Sequence, residues 1–145
     1  MRYLLFIMFV GVLSACGSTD TKVKSTAANA QDSTTIQWLD PVEQELGKVK
    51  EGQVVDIVWR FKNTGDKPLV FSYVRPGCGC TVADKPEEPI APGAEGEIKA
   101  KFDTQGRPFS QHKMMYVQAN NTNRNAGVED VLSFKVEVEE AKKQQ

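Results

Sequence analysis

Hydrophobic and polar side chains take turns along several short stretches of this chain. In Val54–Asn63, the side chains of Val55, Ile57, Trp59 and Phe61 fall on one side of an extended backbone. Asp56, Arg60 and Lys62 fall on the other, joined there by Val54 and Val58. Gly96–Asp103 sets Ile98, Ala100 and Phe102 against Glu97, Lys99, Lys101 and Asp103. Val131–Glu139 sets Leu132, Phe134, Val136 and Val138 against Ser133, Lys135, Glu137 and Glu139. A period of two residues marks a strand with one buried face. Leu69–Val74 and Lys113–Ala119 read as further strands, and Thr35–Leu39 as a first strand at a sheet edge. Asp40–Leu46 comes nearest to a helical period, but it is too short to set the fold class.

Turn chemistry separates these runs. Asn63-Thr64-Gly65-Asp66 joins the Trp59 strand to the Leu69 strand; Gly65 can supply a positive φ there without steric cost, and Pro68 presets the entry into the Leu69 strand. Pro76-Gly77 opens one loop, Pro86–Gly93 forms another with three prolines, and Asn120–Gly127 is a polar loop with four asparagines. Six or seven short strands at this spacing predict an all-β, immunoglobulin-like antiparallel sandwich of about seven strands over residues 36–139. Residues 140–145 read as a polar tail. A domain of about 100 residues buries roughly two-thirds of its unfolded surface, enough for a core without a metal.

The first residues obey a different logic. Met1-Arg2 is positively charged at its start, Tyr3–Leu13 is almost purely apolar, and Ser14-Ala15 are small. That is a secretory signal pattern over residues 1–15. The apolar run of 11 residues falls well short of the roughly 20 needed to span a bilayer. Leu13-Ser14-Ala15-Cys16-Gly17 resembles the bacterial lipobox, which implies cleavage before Cys16 and acylation of its thiol. Residues 16–35 then form the lipidated Cys and a tether with one large apolar residue, Val23, too few to offset the entropy of ordering. A coil of that length reaches roughly 25 Å. Gly17, rather than an Asp, after Cys16 favours the outer membrane by the export logic of Gram-negative lipoproteins, with the domain facing the periplasm.

The 145 residues hold 40% hydrophobic and 26% charged side chains, ordinary for a globular domain. The formal net charge is −1, with Lys and Glu interspersed. No basic stripe exists to face a phosphate backbone, so nucleic acid is not an expected partner.

Five motifs occur in a fixed order: Leu46-Gly47-Lys48-Val49-Lys50-Glu51-Gly52, Phe61-Lys62-Asn63-Thr64-Gly65-Asp66-Lys67-Pro68-Leu69, Cys78-Gly79-Cys80-Thr81, Ile90-Ala91-Pro92-Gly93 and Phe102-Asp103-Thr104. Together they resemble the bacterial "domain of unknown function 1573" family, over about residues 36–138. Those domains look like Hydin-type and major-sperm-protein-like Ig domains, often carried by secreted proteins and lipoproteins. The resemblance implies a fold and no settled activity, and a fold does not license a function. The chain departs from the pattern at one place. The family carries two glycines shortly before the penultimate strand and a Val-x-Thr/Ser-Asn ending. Gly106 fits the first glycine, Phe109 stands at the second, and the strand closes as Val117-Gln118-Ala119-Asn120.

Cys78-Gly79-Cys80 is the most chemically informative spot. With Cys16 acylated, it leaves two thiols in an oxidising compartment. On an extended strand their Cα atoms would lie about 6.5–7 Å apart, near the upper limit for a disulfide, and a turn at Gly79 would shorten that. So small a loop gains little entropic stabilisation and is readily reduced. Three readings stand: a structural pair shaping the bend, a thiol-redox or exchange site with only Arg75 to depress a thiol pKa, and a Cu(I) site. His112, Met114 and Met115 are the other soft donors, and zinc would need more ligands than the two thiols.

The remaining candidates are weaker. His112, the single histidine, reads as a surface residue. No Ser-His-Asp order with a nucleophile elbow, His-Glu-x-x-His or phosphate loop is present. Adjacent Glu87 and Glu88 do not face each other across a substrate. Trp59 reads as core, while Trp38 could line a sugar-binding surface. The loop residues Arg75, Pro76, Thr81, Asn120 and Asn121 are candidates for a binding surface. The expected function is a non-catalytic binding or scaffolding domain of the cell envelope. Its partners would be the membrane, through Cys16, and an envelope protein or glycan, and no cofactor is implied. The alternatives are periplasmic thiol-redox or Cu(I) handling at Cys78 and Cys80, and carbohydrate binding.

Overall fold

The alternating runs stack as two four-stranded sheets in a computed structural model, which describes residues 33–120 and 129–141. The strands are β1 (Ile36–Trp38), β2 (Glu43–Lys50), β3 (Val54–Asn63), β4 (Phe71–Pro76), β5 (Thr81–Asp84), β6 (Glu95–Asp103), β7 (Phe109–Ala119) and β8 (Asp130–Glu139). One sheet has the order β1-β3-β6-β5 and the other β2-β8-β7-β4. The architecture is the expected Ig-like sandwich, with eight strands and one parallel pair, β2 with β8, among otherwise antiparallel neighbours.

The core is where the apolar faces meet. Ile57, Trp59, Phe61, Ile98, Ala100 and Phe102 come from the first sheet; Met115, Val117, Leu132, Phe134, Val136 and Val138 come from the second. Phe134 lies 6.4 Å from Trp59 and 5.4 Å from Phe102 between ring centres, so aromatic packing crosses the gap. Each of the larger aliphatic and phenyl side chains contributes about 1.5–3 kcal/mol by leaving water.

Several boundaries differ from the pattern. β2 begins within Asp40–Leu46, the stretch that comes nearest to a helical period, and runs beyond it to Lys50. Its register shifts between Glu45 and Lys48, around Gly47 with φ 72°, so Leu46 and Val49 both pack against the core although three residues apart. A bulge thus breaks the strand's two-residue period. β4 begins at Phe71, because Leu69 pairs with Ile90 in a separate bridge. β5 lies within the stretch read as loops, its four residues too few to show a period. β7 starts at Phe109, and the half-buried Gln111 and Lys113 on its inner side mask its apolar face in the sequence.

Gly65 is a further correction. Its φ is not positive; the position needs glycine because a Cβ would sit 2.7 Å from the Thr35 nitrogen and against the Thr34 hydroxyl. Phe109, by contrast, has φ 72°, the only positive value at a non-glycine among the described residues, and its side chain is 65% exposed. The backbone there keeps the form a glycine would adopt freely, as the family's glycine at this position implies, and nothing in the structure explains the Phe. A left-handed L-residue costs about 1–2 kcal/mol, partly offset in glycine by extra unfolded-state entropy. Phe109→Gly is therefore expected to raise stability by up to about 1 kcal/mol, seen as a higher urea midpoint. Phe109→Ala, which keeps the strain, should show no such gain.

Candidate functional site

β4 delivers Arg75 and Pro76 to the end of the second sheet, and the Gly77 N–H donates to the Met114 carbonyl at 2.9 Å. The chain then turns over Cys78-Gly79-Cys80 and crosses to the first sheet, where Thr81 begins β5. The turn brings the two cysteine Cα atoms to 5.3 Å, and the sulfurs are joined as a disulfide. Both cysteines are half-buried. Cys80 packs against the core, and its carbonyl accepts the Asp103 N–H at 3.1 Å. Closing so short a loop removes about 1.6 kcal/mol of unfolded-state entropy, against about 3 for a 15-residue loop.

Thr81 is buried and is not on the loop surface where its sequence position suggested. Strand alternation turns its side chain inward, and its hydroxyl lies 3.7 Å from Cys78 Sγ and 4.0 Å from Cys80 Sγ. The other soft donors do not gather here as one set. His112 lies 4.0 Å from Glu43, Met115 is in the core, and Met114, its neighbour along the strand, faces solvent. Among the described residues, no three or more of His, Cys, Asp and Glu cluster as a metal site would require.

Arg75 sits in a different setting from the one expected of it. Its guanidinium lies 5.5 Å from the centre of the Tyr73 ring and 5.6 Å from that of Tyr116, and 3.4 Å from Glu129 Oε1. The Tyr73 hydroxyl donates to the same carboxylate, and this bond raises its pKa above the ordinary phenol value. Arg75 is thus held by two rings and a carboxylate rather than poised to activate a thiol. Tyr116 stands opposite Val131 on β8, and the exposed Val131 (41%) and Met114 (46%) extend the patch. Sequence reasoning found Arg75 but missed Tyr73, Tyr116 and Glu129, because the cross-strand pairing of Arg75 with Tyr116 is not visible without the register.

The other candidates have structural duties. Pro76 is half-buried opposite Met115. The Asn120 side chain donates to the Pro68 carbonyl and accepts the Val70 N–H, at 3.0 and 2.8 Å, and so ties down the approach to β4. Glu87 pairs with Lys85 at the surface. Trp38 is half-buried and meets Phe61 edge-on at 5.8 Å, which leaves a reduced platform for a sugar. An open groove beside β2 is lined by Asp40, Glu43, Gln44, Val58 and Arg60. There Asp40 accepts from the Arg60 side chain and backbone, which lowers its pKa to about 2. Cys16, residues 1–15, most of the 16–35 tether, and Asn121 with most of the Asn120–Gly127 loop lie outside the described residues.

A family model described as "Protein of unknown function (DUF1573)" matches residues 36–138. No curated protein matches the chain. Among solved structures, the chain is similar to a protein of unknown function from Porphyromonas gingivalis W83, at 16% identity and a TM-score of 0.64, covering 79% of this chain and 51% of that one. It is similar to PapD-like domain 7 of human CEP192, at 10% identity and 0.56, covering 94% and 99%. It is also similar to the secreted serine protease VesC from Vibrio cholerae, at 11% and 0.51, covering 74% and 24%. The chain thus spans about half the length of the Porphyromonas protein. At these identities the likeness shows the fold alone.

Proposed function

The chain belongs to the DUF1573 family of proteins of unknown function, and from that premise we propose that it is a non-catalytic, lipid-anchored module of the bacterial cell envelope that binds a protein through the face around Arg75. The leader and Cys16 support the anchor, and Gly17 supports an outer-membrane site facing the periplasm. The observation that carries the binding reading is the Arg75 clamp. Tyr, Arg and Met are the residues enriched at the centres of protein interfaces. Here Tyr73, Tyr116 and Glu129 hold Arg75 in place before any partner arrives, which lowers the ordering cost of association. A protein fits better than a glycan. The guanidinium lies over both tyrosine rings, where a sugar would stack, and Trp38 is half-buried against Phe61.

Two substitutions test the reading. Cys16→Ala should move the protein from the membrane fraction to the soluble envelope fraction; retention on the membrane removes the anchor. Arg75→Ala should weaken partner binding at least tenfold, as loss of an interface hot spot does, with an unchanged circular-dichroism spectrum. Unaltered binding by Arg75→Ala would remove this face as the recognition surface.

A further inference from the structure

The disulfide stands apart from that binding face in its chemistry. The cysteines are two positions apart, so the bridge closes a minimal loop and constrains the unfolded chain weakly. A bridge that stabilises little but sits half-exposed invites a role in exchange. Gly79 between the cysteines is exposed, and nothing lies within 4 Å of where its Cβ would be, so the turn that carries the bridge is uncovered. The two sulfurs are also unequal. Cys80 is fixed by its core packing and by the Asp103 N–H on its carbonyl; Cys78 comes directly after the exposed Gly77. The buried Thr81 hydroxyl faces both sulfurs and can donate to a thiolate released at either. The Lys113 ammonium, 5.8 Å from the Phe102 ring centre, adds positive charge on the inner side, where Phe102 stands opposite Thr81.

We propose that Cys78–Cys80 is a thiol–disulfide exchange site that oxidises a dithiol on another protein of the same compartment. A thiolate of that dithiol attacks Cys78 Sγ. A bond forms between the two sulfurs, the Cys78–Cys80 bond breaks, and its electron pair leaves on Cys80 Sγ beside the Thr81 hydroxyl, where it takes up a proton. The second thiolate of the partner then attacks its own sulfur in the mixed disulfide and releases Cys78, which is protonated in turn. The partner has become a disulfide and this chain a dithiol, with two electrons and two protons transferred. The proposal does not depend on the Arg75 face.

The test uses the full-length chain under native conditions with glutathione as the attacking thiol, quenched by alkylation and read by peptide mass. The expected results are opening of the disulfide by millimolar glutathione within minutes and a transient glutathione adduct on Cys78 rather than Cys80. With oxidised glutathione in place of the reduced form, the free Cys78 thiolate of Cys80→Ser should attack the glutathione disulfide and form the mixed disulfide, releasing one glutathione thiolate, severalfold faster than Cys80 does in Cys78→Ser, while the reduced wild-type protein keeps its circular-dichroism spectrum. Thr81→Val should slow opening severalfold. A disulfide that opens only in denaturant, or a domain that unfolds once it is opened, would overturn the proposal and leave the bridge structural.

Discussion

Phe134→Ala is expected to remove about 3–5 kcal/mol of folding stability, out of the roughly 5–15 that a domain of this kind possesses. The reason is position. Phe134 is fully buried on β8, an inner strand of the second sheet between β2 and β7, and its ring meets Trp59 on β3 and Phe102 on β6. Truncation leaves a cavity between two sheets whose backbones are held by their own ladders and close in only partly. The neighbouring Val131→Ala, on the solvent side of the same strand, should stay within about 0.5 kcal/mol. Urea unfolding monitored by tryptophan fluorescence checks both, since Trp59 reports from beside the cavity.

Asn63→Ala should have an effect of similar size by a different route. Asn63 is fully buried at the end of β3, and its amide is saturated. Oδ1 accepts from the Thr34 hydroxyl at 2.7 Å and from the Gly65 N–H at 3.2 Å. Nδ2 donates to the carbonyls of Lys67 and Ile90 at 2.7 and 2.9 Å. One side chain therefore joins the approach to β1, the turn after β3 and the Leu69–Ile90 bridge. Each buried group left without its partner costs about 1–3 kcal/mol, so the sum is expected near 3–5 kcal/mol. Asn63→Asp should not rescue it, because a carboxylate cannot donate to the two carbonyls. The same urea titration measures the loss. A midpoint shift no larger than that of Val131→Ala would show that the hub is dispensable.

These two positions also show what can be read from sequence alone. Phe134 is legible: β3, β6 and β8 lie inside their sheets and keep one face almost purely apolar, so their alternation survives. Asn63 is not. In the sequence it opens an ordinary turn, and its partners Thr34 and Ile90 are distant along the chain. The edge strands are harder to read for physical reasons. β2 breaks its period at a bulge, and β5 is too short to have one. At the candidate site, the Cys pair and its need for a turn at Gly79 are visible from spacing. The inward Thr81 and the Tyr73–Arg75–Tyr116 stack are not, because both depend on which strands pair and in what register.

The recognition face can be probed directly in the envelope of a bacterium carrying the full-length chain. A photo-crosslinking residue placed at position 114, beside Tyr116, is compared with one at position 97 on the opposite sheet. The expected result is one discrete protein adduct from position 114 that disappears when Arg75→Ala is added, and none from position 97. Identical adducts from both positions, or a position-114 adduct indifferent to Arg75, would contradict it.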